Sequence, residues 1–130
     1  MKEKTEMLNM LRNLSVDRMA VGMLREDIAR IEEAGKKEEL PARQREALEK
    51  ERRKLTSCLE VTVEHISRMD RFLALLSPEE RKVLEHTLIN PHPEAVFDLA
   101  TEFNCETTRI YRIRARAVSK LVRLRYGAGE

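Results

Sequence analysis

Apolar residues recur at heptad spacing through the first part of the chain. Met7, Leu14, Val21 and Ile28 fall seven apart, and Met10, Leu24 and Ile31 interleave, with Asp17 interrupting the second series. Such spacing lines up one face of a helix, so the pattern predicts a coiled-coil-like helix from about Glu3 to Glu33. Gly35 stops it, and the polar run 36–41 (KKEELP) reads as a short connection. A second stripe follows through Leu48, Leu55, Leu59, Thr62, Ile66, Met69, Leu73 and Leu76. Two helices of similar length joined by a short link are expected to fold back antiparallel. The mixed-charge run 49–54 (EKERRK) is then the solvated outside of the second helix.

After Leu76 the pattern shortens. Ser77-Pro78-Glu79-Glu80 is a helix start: the serine hydroxyl caps a free N–H, proline suits the first turn, and Glu80 completes a capping box. Val83, Leu84 and Leu88 mark the inner side of that helix, which should end near Asn90, before Pro91-His92-Pro93. Pro93 and Glu94 suit the opening of the next helix. Three helices are expected after Ser77, at roughly 78–89, 94–103 and 106–125. The predicted fold is all-α, a long helical hairpin over 1–76 followed by a trihelical domain over 77–126.

Residues 95–124 (AVFDLATEFNCETTRIYRIRARAVSKLVRL) have the pattern of a helix-turn-helix unit. Ala100 takes the small-residue position where two helices cross closely. Leu99 and Phe103 face inward, Asn104 falls on the turn, and Ile110 and Ile113 return to the core. Glycine is usual at such a turn, and asparagine is among the few other residues that enter the left-handed region readily.

Charge changes the picture only locally. The chain has 25 basic and 23 acidic residues, a net charge of +2. Between Asn104 and Tyr126, however, stand Arg109, Arg112, Arg114, Arg116, Lys120, Arg123 and Arg125 against Glu106 alone. That concentration is the footprint of a phosphate-binding surface. In helix-turn-helix geometry Glu106, Thr107, Thr108, Tyr111 and Arg112 point outward. Thr107, Thr108 and Arg112 are the expected base contacts, since threonine can meet a thymine methyl and arginine binds guanine bidentately. Arg109, Arg114 and Arg116 are expected to hold phosphates or pack across the domain. Lys120, Arg123 and Arg125 prolong the phosphate track or meet a partner. Tyr111 is either a contact or a half-buried ring with a wet hydroxyl.

Composition restricts the alternatives. Charged residues make up 37%, aromatics 4%, and tryptophan is missing, which suits amphipathic helices and not a sheet protein. No run approaches the ~18 apolar residues of a membrane span, and the opening MKEKTEMLNML is too charged for a secretion signal. Cys58 and Cys105 have no framework spacing, which fits a reducing cytoplasm; both are expected to be buried. His65, His86 and His92 are scattered, and neither a phosphate loop nor a nucleophile motif occurs. No catalysis, metal or cofactor is expected. The narrow stripes of the hairpin favour pairing with a second copy, a homodimer through the N-terminal helices, over a monomer.

Leu76–Arg81, the pair Leu99-Ala100, and Arg116-Ala117 through Leu121 together resemble the C-terminal promoter-reading region, region 4, of sigma-70-type factors. The likeness runs over about 61–125. With a long hairpin in place of the polymerase-binding and melting regions, the chain is similar to small phage transcriptional regulators of the ArpU/RinA type. The resemblance implies a cytoplasmic regulator of phage or prophage transcription that binds double-stranded promoter DNA, with RNA polymerase as a possible partner. The alternative is a protein-interaction module that docks on polymerase or another regulator without touching DNA.

Overall fold

A computed structural model describes residues 2–128. Among them every regular element is helical: α1 Lys2–Gly35, α2 Ala42–Ala74, α3 Pro78–Leu84, α4 Ala95–Glu102 and α5 Thr107–Tyr126. Contacts group these into two units, one of residues up to Ser15 with those from Arg68 onward, the other Val16–Ser67.

In the first unit the core takes Met7, Leu11 and Leu14 from α1, Met69 and Leu73 from α2, Leu76, and the inner faces of the later helices. Leu11 lies off the predicted stripe and is fully buried, whereas the expected Met10 is only half-buried. Leu11 stands four residues after Met7 and three before Leu14, so the face buried here is broader than an a/d seam. Tyr126 donates its hydroxyl to a Glu6 carboxylate oxygen at 2.6 Å. That carboxylate pushes the phenol of Tyr126 above its usual range.

α3 begins as its sequence dictates. Ser77 is extended, its Oγ accepts from the Glu80 N–H at 3.1 Å, and the Glu80 carboxylate accepts from the Ser77 N–H at 2.9 Å. This last bond, with help from the Lys120 ammonium, holds the Glu80 carboxyl below the usual carboxylate range. Ser77→Ala should therefore lower stability by about 1 kcal/mol. A depressed carboxylate pKa contributes stability above the unfolded value and loses it as pH falls through the folded value. Thermal melts of wild type and Glu80→Gln should differ near neutrality and converge as acid protonates the Glu80 carboxylate of the folded protein, below the usual carboxylate range.

The helix does not run regularly to Asn90. Beyond Leu84 it widens into a π-helical turn, Glu85–Ile89, closed by the Asn90 N–H donating to the Glu85 carbonyl at 2.8 Å. The Asn90 side chain also donates to the Glu85 carboxylate at 2.6 Å. The extra residue in this turn rotates Ile89 inward beside Leu88, and both are buried. α4 then starts at Ala95, with Glu94 as its N-cap, one residue later than predicted.

In the second unit the α1 and α2 segments share an Asp17–His65 pair at 3.5 Å. An open crevice there is lined by Asp27, Ile31 and Ala34 of α1 and by Leu48, Glu51 and Leu55 of α2. Val21, Leu24, Ile28, Ile31, Leu48, Leu55, Leu59 and Ile66 are all half-buried, and no residue between Val16 and Ser67 is fully buried. Arg52 donates twice to the Glu49 carboxylate, at 2.6 and 3.0 Å, in keeping with a solvated charged face. Cys58 is exposed, contrary to expectation, because it lies beside the half-buried stripe and not on it; Cys105 is half-buried. No helix among the described residues is long and apolar enough to cross a membrane.

Candidate nucleic-acid interface

α4 and α5 are joined by a turn whose hydrogen bonds identify it. The Cys105 N–H donates to the Ala100 carbonyl at 2.9 Å and the Asn104 N–H to the Thr101 carbonyl at 3.2 Å. This six-to-one and five-to-two pairing is a Schellman motif, which needs a left-handed residue directly after the helix cap. Asn104 is that residue, with φ at +51°, and the described residues contain no other non-glycine residue with positive φ. The motif also brings the residue after the turn onto the last helical turn. Cys105 packs there against a cluster of Val83, Leu99, Ala100, Ile110 and Ile113, with Val96 and Phe103 at its edge.

The substitution series at Asn104 follows directly. Asn104→Gly should leave stability within a few tenths of a kcal/mol, whereas Asn104→Val should cost roughly 1–2 kcal/mol, because a β-branched side chain clashes in the left-handed region. Urea unfolding of the two variants separates the cases.

Ala100 allows α4 to approach α5 closely, and Ile110 and Ile113 anchor α5 from the other side; all three are buried. With the inner face of α5 so fixed, its outer face is set. Thr108, Arg109, Tyr111, Arg112 and Arg116 are exposed, Tyr111 at 54%. The Tyr111 ring is thus open to a ligand. Thr107 and Arg114 are half-buried at the flank. The seven basic residues of this segment therefore do not form one array. Arg109, Arg112, Arg116, Lys120 and Arg123 recur at three- and four-residue steps along one exposed side of α5. Arg125 is half-buried, with its guanidinium 5.3 Å from the Tyr126 ring centroid and its Nε without a partner.

Two of the five exposed cations are already engaged by the start of α3. Arg109 meets Glu79 at 3.4 Å and Lys120 meets Glu80 at 3.5 Å. The Arg109–Glu79 pair is exposed on both sides and of a kind worth about 0–1 kcal/mol, so a phosphate can displace it; Lys120 is itself exposed, although the Glu80 side chain it meets is only 13% exposed. Arg112, Arg116 and Arg123 make no ion pair among the described residues.

A shallow crevice of about 540 Å³ adjoins the turn, lined by Phe97, Thr101, Asn104, Glu106, Thr107 and Thr108. Phe97 is a feature that sequence patterning passed over. Its signal was available: α4 turns Val96, Leu99, Ala100 and Phe103 towards the core, which leaves a large aromatic on the polar side, 63% exposed. No group of three or more His, Cys, Asp or Glu residues among those described could hold a metal. His86 and His92 meet edge to face at 5.9 Å between centroids. No family model, curated protein or solved structure matches the chain.

Proposed function

We propose that this chain is a DNA-binding transcriptional regulator that reads the major groove of a promoter or operator through a helix-turn-helix formed by α4 and α5. One observation carries the reading: a Schellman turn with a left-handed Asn104 joins two helices packed over Ala100, and it leaves Thr108, Arg112 and Arg116 exposed on the second helix. In that role Arg112 and Thr108 contact base edges, with Thr107 at their flank. Arg116 and Arg123 take phosphates directly, and Arg109 and Lys120 do so after leaving Glu79 and Glu80. Tyr111 supplies an aromatic edge to the same face, and Arg114 supports it from the side.

The resemblance to sigma region 4 and to phage regulators of the ArpU/RinA type supports the same assignment, for which a bacterial cytoplasm is the expected setting. The long helices take the part of an antiparallel hairpin. Asp17 opposite His65, and Ala34 sharing a crevice with Leu48, give falling numbers on α2 against rising numbers on α1. Such an arm offers a docking surface for RNA polymerase.

Selection of binding sites from a random duplex pool by the purified full chain tests the proposal. Enrichment of a short motif is expected. A pool that stays unenriched, with polymerase captured in a parallel pull-down, replaces it with a protein-docking role.

A further inference from the structure

α4 carries an aromatic side chain that the core does not use. Val96, Leu99, Ala100 and Phe103 of this segment pack inward, whereas Phe97 is 63% exposed. A phenyl ring left in water favours whatever covers it. The ring lines the crevice beside the turn, together with Thr101, Glu106, Thr107 and Thr108. Thr101 donates its hydroxyl to the Phe97 carbonyl at 3.0 Å, which leaves its methyl group as the uncommitted part. Thr107 and Thr108 open α5, so the crevice is continuous with the face of that helix on which Thr108 and Arg112 are exposed.

The charges around the crevice decide what fits it. Among the described residues no lysine or arginine lines it, and Glu106 does. Glu106 is the N-cap of α5, yet its exposed side chain makes no capping hydrogen bond. A phosphate brought here would meet a carboxylate at short range with no cation in the lining to offset it. A base edge meets no such repulsion. Thymine presents a 5-methyl group in the major groove, and the adenine paired with it presents an amino group. Phenyl and threonine methyl groups suit the first, and a carboxylate accepts a hydrogen bond from the second.

We propose that Phe97 is a specificity-determining residue, a wall of a site for the 5-methyl group of one thymine, shared with Thr107 and Thr108. The inference rests on the DNA-binding reading and adds to it a contact from α4. Its test uses a duplex selected by the full chain, with each thymine replaced in turn by deoxyuridine, which removes the methyl group and keeps the pairing. At one position the wild-type protein should lose affinity about 4-fold, the worth of one buried methyl group. Phe97→Ala should remove most of that difference, and Phe97→Leu should keep part of it. Both variants should melt as wild type does, because the ring is exposed; the deoxyuridine scan on wild type stands without either. A selected motif that lacks thymine, or that is indifferent to deoxyuridine throughout, overturns the inference and leaves DNA binding standing. So does a thymine preference that Phe97→Ala leaves unchanged, which assigns the methyl group to the threonines alone. An equal loss on both duplexes also overturns it and assigns the ring to the sugar–phosphate backbone. A pool that yields no motif removes the DNA-binding reading and this one together.

Discussion

Replacing Ile110 by alanine is expected to lower the unfolding free energy by about 2–5 kcal/mol. Ile110 is fully buried, and it joins Val83 of α3 and Leu99 and Ala100 of α4 to the first turns of α5. Removing its outer carbons loses transfer free energy and leaves a cavity that these neighbours can only partly fill. The loss is felt locally as well, because α5 keeps its position through Ile110, Ile113, Ala117 and Leu121. Urea titration followed by circular dichroism measures the shift in midpoint. DNA binding should fall in parallel with the folded fraction.

Arg112→Ala is expected to do the reverse. The side chain is exposed and makes no ion pair among the described residues, so stability should change by less than about 0.5 kcal/mol. Affinity for a selected duplex should fall about 5- to 150-fold, the loss of one bidentate base contact worth ~1–3 kcal/mol. Preference at one base pair should flatten with it. Arg116→Ala offers the contrast, since a phosphate contact lowers affinity for all sequences alike and reduces the salt dependence. Competition binding with single-base variants of the duplex distinguishes the two residues.

Local chemistry was the most legible part of this chain. Ser77 and Glu80 specify their capping box through residues three apart, and Asn104 specifies its turn because few other side chains tolerate φ at +51°. The buried set Leu99, Ala100, Ile110 and Ile113 followed from the register of the helix-turn-helix pattern with Ala100 at the close crossing. Less was legible where the outcome depends on what a helix packs against. Leu11 lies outside a heptad reading because its surroundings bury a broader arc than a two-helix seam would. The π-helical turn at Glu85–Ile89 has no simple periodic signature; it follows from the joint burial of Leu88 and Ile89.

The candidate interface shows the same division. Seven basic residues were visible as a cluster, but α5 sorts them into an exposed row of five with Arg114 and Arg125 set aside. That sorting depends on the helix phase, which Ile110 and Ile113 set. The pairing of Arg109 with Glu79 and of Lys120 with Glu80 spans too many residues to be read from the chain. Phe97 was missed for the opposite reason, since an aromatic in an amphipathic helix is ordinarily assigned to the core.

Fluorescence anisotropy of a labelled duplex, titrated with the full chain over a salt series, tests the central claim most directly. The exposed row on α5 predicts a linear fall of log affinity with log salt, with a slope of roughly −2.7 to −4.5 per protomer for three to five phosphates neutralised. Anisotropy that stays flat even at low salt would contradict the account, because no arrangement of Arg112, Arg116 and Arg123 on DNA is compatible with it.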